Sequence, residues 1–220
     1  MAKTEGGASR AVLWDLDGTL ADSRDYHWRA WQEAMGAEGL RITEAQFSSS
    51  FGQRNDAILS QWLGSDADPD QVIRVGEAKE ARYRELVESE GMEPLPGAAE
   101  WVRFLHEAGW GQAIASSAPR LNVEVMHRVL GFSDFIEVLV GAEDVRKGKP
   151  DPEVFLKAAE RLGVTPGRCV VVEDAEAGIQ AARRGGMRSI GVGPGEVGAA
   201  DVVVRHLSDL PPEAFDELVE

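Results

Sequence analysis

The second half of the chain alternates between short apolar runs and amphipathic helical patterns, and this alternation constrains the fold more than any other feature. Two of the helical patterns end at Gly109 and Gly163, a common way to end a helix. Strands that alternate with helices form a parallel sheet with helices on both faces, and ligands bind beyond the carboxyl ends of its strands. We therefore predict an α/β fold. The predicted strands are residues 111–116, 137–140, 168–173, 187–192 and 201–204.

Residues 22–94 break this alternation, because apolar residues recur there at helical spacing with no strand pattern between them. Trp28 and Trp31 begin the first such stretch. A segment rich in Pro and Gly, residues 92–97, follows the last stretch and suits a hinge. The sequence therefore predicts two domains, an α/β core formed by residues 1–21 and 95–220 and an inserted helical cap formed by residues 22–94.

The segment WDLDGTL, residues 14–20, places two carboxylates two positions apart directly after the apolar run 11–13. Alternate residues of an extended segment project to the same side, so Asp15 and Asp17 should lie close together. Gly18 then lets the chain turn sharply beside a ligand. Because like charges repel, the pair predicts a bound cation, a shared proton, or a division of roles between nucleophile and acid/base. An ordinary turn remains the alternative, since Asp and Gly are common turn residues.

Polar residues end two further apolar runs. Ser116 and Ser117 close the run that begins at residue 111, and Glu173 and Asp174 close the run that begins at residue 168. In a parallel sheet these ends share one edge with Asp15, so the sequence predicts a polar site there. The acidic pair has a plainer alternative, because acids are also favoured at helix N-termini, where they cap the helix.

Composition argues against nucleic-acid and membrane partners. The net charge of the 220 residues is -15, whereas nucleic-acid binding needs clustered Lys and Arg. No run reaches the roughly 18 apolar residues of a membrane span, and residues 1–10 lack the apolar centre of a signal peptide. We therefore expect a cytoplasmic protein with no obligate protein partner. The single cysteine, Cys169, lies in an apolar run and is expected to be a small buried side chain rather than a reactive thiol.

In their order along the chain, these segments resemble the four motifs of the haloacid dehalogenase (HAD) superfamily. The motifs are DxDGT from Asp15, a strand-terminal hydroxyl at Ser116, a lysine before proline at Lys149, and the acidic pair from Glu173. Lys147 is a rival for the lysine role, but only Lys149 directly precedes a proline. The resemblance extends from about residue 10 to the end, and it implies a Rossmann-like parallel sheet core with an inserted all-helical cap domain.

The resemblance also implies a role for each motif residue. Asp15 would attack phosphorus and form an acyl phosphate, which divides one difficult displacement into two easier ones. Asp17 would protonate the leaving alcohol as a general acid and later activate water as a base. The Ser116 hydroxyl, the Ser117 backbone N–H and the Lys149 ammonium group would contact the phosphoryl oxygens and stabilise the charge of the transition state.

The expected cofactor is Mg²⁺, which prefers hard oxygen ligands and is typically held by one or two carboxylates plus substrate phosphate. The ligand positions of the family correspond to Asp15, the backbone carbonyl of Asp17, and Asp174. Glu173 would act directly or through a water molecule. No cluster of His and Cys residues suggests zinc instead.

Three cap residues are similar to substrate-binding residues of β-phosphoglucomutase-like members of the superfamily. His27 lies in a segment that resembles their first cap helix, Arg54 in a loop that resembles their phosphate-binding loop, and Lys79 at the position of a cap lysine. A solvated helix or loop face is the alternative for each of the three. The segment 118–120 departs from the mutase pattern, in which Ser and Asn contact a distal phosphate, although Arg120 could bind a phosphate through two hydrogen bonds.

These observations predict a Mg²⁺-dependent phosphohydrolase that acts on a small phosphorylated metabolite, a sugar or polyol phosphate, through a phosphoaspartate intermediate. The alternative is a β-phosphoglucomutase, which returns the phosphoryl group to a sugar rather than to water. A haloacid dehalogenase shares the nucleophile but needs neither Asp17 nor the acidic pair. A catalytically silent phosphate-binding protein is the fourth reading, and the intact motif set argues against it.

Overall fold

The computed structural model describes residues 8–64, 66–194 and 197–219, and six strands among them form one parallel sheet. The order across the sheet is β3-β2-β1-β4-β5-β6, so β1 lies between β2 and β4. The predicted α/β fold with a Rossmann-like core is therefore confirmed. The strands are β1 Ala11–Trp14, β2 Gly111–Ala115, β3 Val138–Val140, β4 Cys169–Glu173, β5 Arg188–Val192 and β6 Val202–Val204.

Helices cover both faces of the sheet, as the continuous apolar character of its strands requires. Alternate residues of β1 point to opposite faces, so Val12 and Trp14 pack in one core cluster while Ala11 and Leu13 pack in the other. Helices α5 and α6 supply side chains to the first cluster, and α7 and α8 to the second. The helices of the core are α5 Ala98–Glu107, α6 Arg120–Val129, α7 Glu153–Leu162, α8 Glu176–Arg184 and α9 Asp216–Val219.

Four helices between β1 and α5 form the inserted cap, which has a hydrophobic core of its own. Trp31, Phe47, Ile58 and Val75, one from each helix, are buried together there. The predicted helical character of this insertion is confirmed, while the domain boundaries at residues 21–22 and 94–95 remain a prediction. The cap helices are α1 Arg24–Ala37, α2 Glu44–Ser50, α3 Asn55–Leu63 and α4 Pro69–Glu90.

The two crossings between core and cap lie side by side. The backbone N–H of Leu95 donates to the carbonyl of Leu20 over 2.8 Å, and Ala21 forms an antiparallel bridge with Pro94. Because the crossings share backbone hydrogen bonds, the chain enters and leaves the cap at one place, next to the end of β1. That this place acts as a hinge remains a prediction.

Two expectations from composition can be compared with this structure. Cys169 is buried in β4, and burial raises the pKa of its thiol to about 11, as expected for a packing residue. Within the described parts of the chain, no helix combines the length and the apolar character needed to cross a membrane. The prediction that residues 1–10 hold no signal peptide falls mostly on residues 1–7, which lie outside the described residues.

Candidate active site

The polar residues that end β1, β2 and β4 meet at one edge of the sheet. Asp15 directly follows β1, Ser116 follows β2, and β4 ends at Glu173 with Asp174 next in the chain. These three strands are neighbours. From β1 the chain continues to β2 and β3 on one side of the sheet, and it then crosses to β4, β5 and β6 on the other side. Ligands of such sheets bind where the direction of strand order reverses, which here is between β1 and its neighbours.

Lys149 joins two of these carboxylates. Its Nζ donates to Asp15 Oδ1, and it donates to Glu173 Oε1 over 2.7 Å. The side chains of all three residues are less than a tenth exposed. The side chain of the neighbouring Lys147 is 76% exposed, and its Nζ lies 3.9 Å from Asp151 Oδ2. The structure therefore places Lys149, and not Lys147, beside these carboxylates.

Carboxylates outnumber cations in this group, which we call the Asp15 cluster: Asp15, Lys149, Glu173 and Asp174. One oxygen from each of the three acids lies within 4.8 Å of the others. Burial, followed by repulsion from Glu173, raises the pKa of Asp174 to about 7, and burial also raises the pKa of Asp15 well above its ordinary value in spite of Lys149. Hard oxygen donors with excess negative charge could hold a divalent cation.

Two glycines make room for these acids. Gly18 has a φ of +91°, and a side chain there would begin 2.1 Å from the nearest Asp174 carboxylate oxygen. A Cβ at Gly178, in the first turn of α8, would lie 2.0 Å from Glu173 Oε1. Both positions therefore require glycine. Gly18, which follows the DxD motif, permits the local turn and also leaves room for the side chain of Asp174.

The hydroxyl predicted to contact the phosphoryl group lies at the same edge. Ser116 is 2% exposed, and its Oγ accepts the backbone N–H of Ala118 over 3.0 Å. A hydroxyl group that accepts one hydrogen bond still has a proton to donate. The Ser116 backbone N–H pairs with Val140 in the sheet, whereas Ser117 lies on the wall of the adjoining cavity.

Asp17 turns away from the other acids towards the cap. Its Oδ1 accepts hydrogen bonds from Ser23 Oγ and from His27 Nε2, the latter over 3.2 Å. Lys79 Nζ lies 2.9 Å from His27 Nδ1. Because an ammonium group can only donate, Nδ1 accepts and Nε2 carries the ring proton towards Asp17. Burial alone would raise the pKa of Asp17, but the hydrogen bonds from His27 and Ser23 and the charge of Lys79 hold it below its ordinary value.

Lys79 is buried, so the solvated face considered as its alternative is wrong. It is 2% exposed and donates to Glu80 Oε1 over 2.7 Å. The ring of His27 is also buried and stacks on Tyr83 with 4.0 Å between ring centres. We call Asp17, His27, Lys79 and Glu80 the Asp17 cluster. In it two carboxylates face one ammonium group and one imidazole ring.

Sequence reasoning did not single out Glu80, although a signal was present. The buried residues of α4 follow helical spacing from Val75 through Lys79 and Tyr83, and Glu80 occupies the same face. A charged residue inside an apolar stripe is seldom buried unless it is paired. The helical spacing of α4 thus indicates that Lys79 and Glu80 are buried, whereas their charge alone favours an exposed position.

A cavity of about 560 Å³ is lined by residues of both clusters and is bounded by core and cap. Asp15, Asp17, Ser116 and Lys149 line its core side. Its cap side includes apolar side chains and the predicted substrate-binding residues His27, Arg54 and Lys79. The volume exceeds that of a phosphate ion several times, so the cavity has room for the remainder of a phosphorylated molecule.

The two arginines that were predicted to bind substrate are placed differently. Arg54 lies on the cavity wall, and its Nη1 donates to the carbonyl of Ala142 over 2.8 Å. Arg120 is absent from the described residues that line the cavity, and its guanidinium group pairs with Glu124 over 3.0 Å and with Asp144 over 3.2 Å. In this arrangement Arg120 contacts two acids of the core instead of facing the cavity, so the structure does not place it among the groups that could meet a substrate.

Comparison with known proteins gives a consistent family assignment. The family model of haloacid dehalogenase-like hydrolases matches residues 9–186. The chain is 33% identical to β-phosphoglucomutase from Bacillus subtilis (strain 168) over 94% of each chain. It is 34% identical to hexitol phosphatase A from Escherichia coli (strain K12), over 83% of this chain and 82% of the relative.

A solved structure agrees with both the core and the cap. CbbY from Rhodobacter sphaeroides, in complex with xylulose-1,5-bisphosphate, superimposes with a TM-score of 0.85 at 25% identity, over 91% of this chain and 96% of that chain. The match of fold, motifs and helical insertion identifies the chain as a haloacid dehalogenase-like hydrolase of the subfamily that contains capped phosphatases and β-phosphoglucomutases.

Proposed function

We propose that this enzyme is a Mg²⁺-dependent phosphohydrolase that acts on a sugar or polyol phosphate through a phosphoaspartate at Asp15. The observation that carries the proposal is the position of Asp15, which is buried against Lys149 on the wall of a cavity bounded by core and cap. Relatives named for hexitol and fructose-1-phosphate phosphatase activities, each at least 33% identical, support the substrate class.

In the first half of the reaction an Asp15 oxygen attacks phosphorus while the bond from phosphorus to the sugar oxygen breaks. Lys149 and Ser116 donate to the phosphoryl oxygens and stabilise their charge. Asp17 gives its proton to the departing sugar oxygen. Its pKa is low in the structure, and the negative charge of an incoming phosphate beside it favours the protonated form that this step needs.

In the second half water attacks phosphorus, Asp17 takes the proton of that water, and the bond from phosphorus to Asp15 breaks to release inorganic phosphate. The ionised form is the one that can accept a proton, and the hydrogen bonds from His27 and Ser23 favour it. Asp17 thus returns to its starting state, and one water molecule is consumed for each ester cleaved.

The donor set of the Asp15 cluster fits Mg²⁺. Asp15 and Asp174, together with the backbone carbonyl of Asp17, would hold the ion, which when bound neutralises charge on the phosphoryl group. Glu173 already accepts from Lys149 and, over 2.7 Å, from the backbone N–H of Ala175. Its engaged oxygens favour a contact through water over direct binding, while it holds Lys149 in place.

A β-phosphoglucomutase is the second candidate, because one relative of that name is 33% identical and His27, Arg54 and Lys79 all border the cavity. The phosphatase is favoured because Ala118, an apolar residue, lines the cavity at the departure from the mutase pattern, and Arg120 faces Glu124 and Asp144.

One experiment separates the two candidates. Purified enzyme with Mg²⁺ is supplied with a panel of sugar and polyol phosphates, and also with β-glucose-1-phosphate plus a bisphosphate activator. We expect phosphate release from a panel member to be faster than formation of glucose-6-phosphate. Faster isomerisation than phosphate release from every compound would replace the phosphatase proposal with the mutase.

A further inference from the structure

Glu80 accepts hydrogen bonds from three different helices. Its Oε1 accepts from Lys79 over 2.7 Å and from Asn55, at the start of α3, over 2.6 Å. Its Oε2 accepts from Asn122 Nδ2. Glu80 is 6% exposed and Asn122 is 1% exposed. A buried carboxylate with three donors is well compensated. Burial alone would raise its pKa, but the charge of Lys79 and the hydrogen bonds from Lys79 and Asn55 hold that pKa below its ordinary value.

The bond between Glu80 and Asn122 crosses from the cap to the core, since Glu80 belongs to α4 and Asn122 to α6. Arg84 fixes its direction. Arg84 Nη1 donates to Asn122 Oδ1 over 2.9 Å, and an arginine cannot accept. The amide oxygen of Asn122 is therefore committed to Arg84, and only its NH₂ group can face Glu80.

We propose that Glu80 and Asn122 form a latch that closes the cap onto the core and, through Lys79 and His27, sets the position of Asp17. In this role Glu80 and Asn122 are positioning residues, and the inference rests on the proposed function of Asp17 as acid and base. When the cap separates from α6, Glu80 loses one of its three donors, and Lys79 no longer has a fixed position relative to the core. His27, which Lys79 contacts, then no longer holds the Asp17 carboxylate in one direction.

Asn122 donates and Glu80 accepts in this bond, so the donor and the acceptor can be exchanged between the two positions. Glu80→Gln presents an NH₂ group to the NH₂ group of Asn122, and Asn122→Asp presents a carboxylate to the carboxylate of Glu80, so each single variant loses the bond. In the double variant Glu80→Gln/Asn122→Asp the side chain at 80 donates to the carboxylate at 122. That carboxylate still accepts from Arg84, and the remaining oxygen at 80 still accepts from Lys79 and Asn55.

The experiment measures kcat and KM in Mg²⁺ for the best sugar phosphate of the panel and for p-nitrophenyl phosphate, whose leaving group needs no proton. A hydrogen bond to a buried charge supports a loss of about tenfold or more in kcat/KM for the sugar phosphate in each single variant. We expect a smaller loss for the aryl ester, and recovery to within about threefold of wild type in the double variant.

The control variant is Glu88→Gln. Glu88 forms an exposed ion pair with Arg128 that also joins the cap to the core, and exposed ion pairs contribute little, so we expect unchanged kinetics.

Small-angle X-ray scattering gives a readout that does not depend on turnover. The single variants should be more extended than wild type, and the double variant should return to the wild-type radius of gyration. Losses that are equal for both esters, or that persist in the double variant, would overturn the latch. Should the exchanged pair fail to fold, Asn122→Ala decides, because wild-type kinetics and scattering in that variant would also overturn it. Activity that survives Asp15→Asn would instead refute the proposed function and leave the scattering result standing.

Discussion

The Asp15 cluster and the Asp17 cluster line one cavity and differ in charge balance. In the first, three carboxylates share Lys149, and burial raises the pKa values of Asp15 and Asp174. In the second, hydrogen bonds and nearby positive charge hold the pKa values of Asp17 and Glu80 below their ordinary values in spite of burial. The first cluster has two more carboxylates than cations, whereas the second has only one more, which hydrogen bonds from Ser23, Asn55 and Asn122 help to offset.

This difference indicates separate tasks. The acids of the Asp15 cluster extend from the ends of neighbouring strands, where backbone pairing within the sheet keeps like charges together although they repel. The Asp17 cluster is assembled mainly from cap side chains, and its hydrogen bonds orient a single carboxylate. An uncompensated rigid site suits the binding of a cation and a phosphoryl group, and a compensated one suits the placement of an acid/base.

The largest expected effect is the loss of the nucleophile. Asp15→Asn keeps the shape of the side chain but should lower kcat by more than about a thousandfold, as for catalytic groups that act as a unit. Rapid-quench assays on Asp17→Asn should differ, because attack can survive while hydrolysis fails and phosphoenzyme accumulates. Retention of a tenth of wild-type activity by Asp15→Asn would contradict the covalent mechanism and with it the distinct role of the Asp15 cluster.

Removal of divalent metal should act on the Asp15 cluster alone. We expect EDTA to abolish phosphate release and added Mg²⁺ to restore it, with Asp174→Ala raising the Mg²⁺ concentration required for half-maximal rate by about tenfold or more. Ca²⁺ is larger and takes more oxygen ligands, so it should bind but support turnover poorly. Full activity in excess chelator would mean that Lys149 alone balances the three carboxylates.

Neutralising one carboxylate in each cluster should change stability in opposite directions. In EDTA at pH 8, Asp174→Asn should raise the free energy of unfolding by about 1 to 2 kcal/mol, because it removes an ionised group that folding disfavours. Glu80→Gln should lower it by about 1 to 3 kcal/mol, because it leaves Lys79 and Asn122 poorly paired. Urea titrations measure both, and changes of the same sign would show that the two clusters do not differ in charge balance.

The pH dependence of stability sharpens the same test. The pKa of Asp174 is raised from 3.8 to about 7 on folding, so the folded state binds the extra proton and the metal-free protein should lose stability as pH rises through this range. Asp174→Asn and added Mg²⁺ should each flatten that decline. Glu80 has the opposite sign, since its pKa is lowered on folding, and its contribution should disappear as pH falls below about 4.5.

The smallest expected effect compares two arginines near the cavity. Arg54→Ala should raise KM for the best sugar phosphate about tenfold and lower kcat less, because Arg54 lies on the cavity wall. Arg120→Ala is the matched control, and we expect a change of less than about twofold because Arg120 pairs with Glu124 and Asp144. An increase in KM of more than about twofold in Arg120→Ala would support the prediction that Arg120 contacts the substrate.

Much of the fold could be predicted because strand and helix periodicities are local. The predicted strand 111–116 is observed as Gly111–Ala115, and the predicted strand 168–173 as Cys169–Glu173. The all-helical character of the insertion was equally visible. The strand order across the sheet was not predicted, since it depends on which strands pair in space rather than on the pattern within each one.

The site was predicted unevenly for a related reason. Asp15, Ser116 and the acidic pair each end a strand, so a parallel sheet brings them together whatever the helices do. A solvated face was the favoured interpretation of Lys79, and Glu80 was overlooked, because an isolated charge in a helix gives no sign of its partner. In the structure both are buried, and their polar partners, His27, Asn55 and Asn122, come from three other helices.

The sequence by itself determined the α/β alternation, the helical insertion and the motif residues, since each depends on spacing within a few residues. Tertiary structure decided which charges are paired. Asn122 reaches Glu80 across 42 positions of sequence and Lys149 reaches Asp15 across 134, while Arg120 is taken up by acids of the core. The pairing of buried charges is set by packing between distant segments, because desolvation makes an unpaired charge too costly to bury and no local pattern encodes its partner.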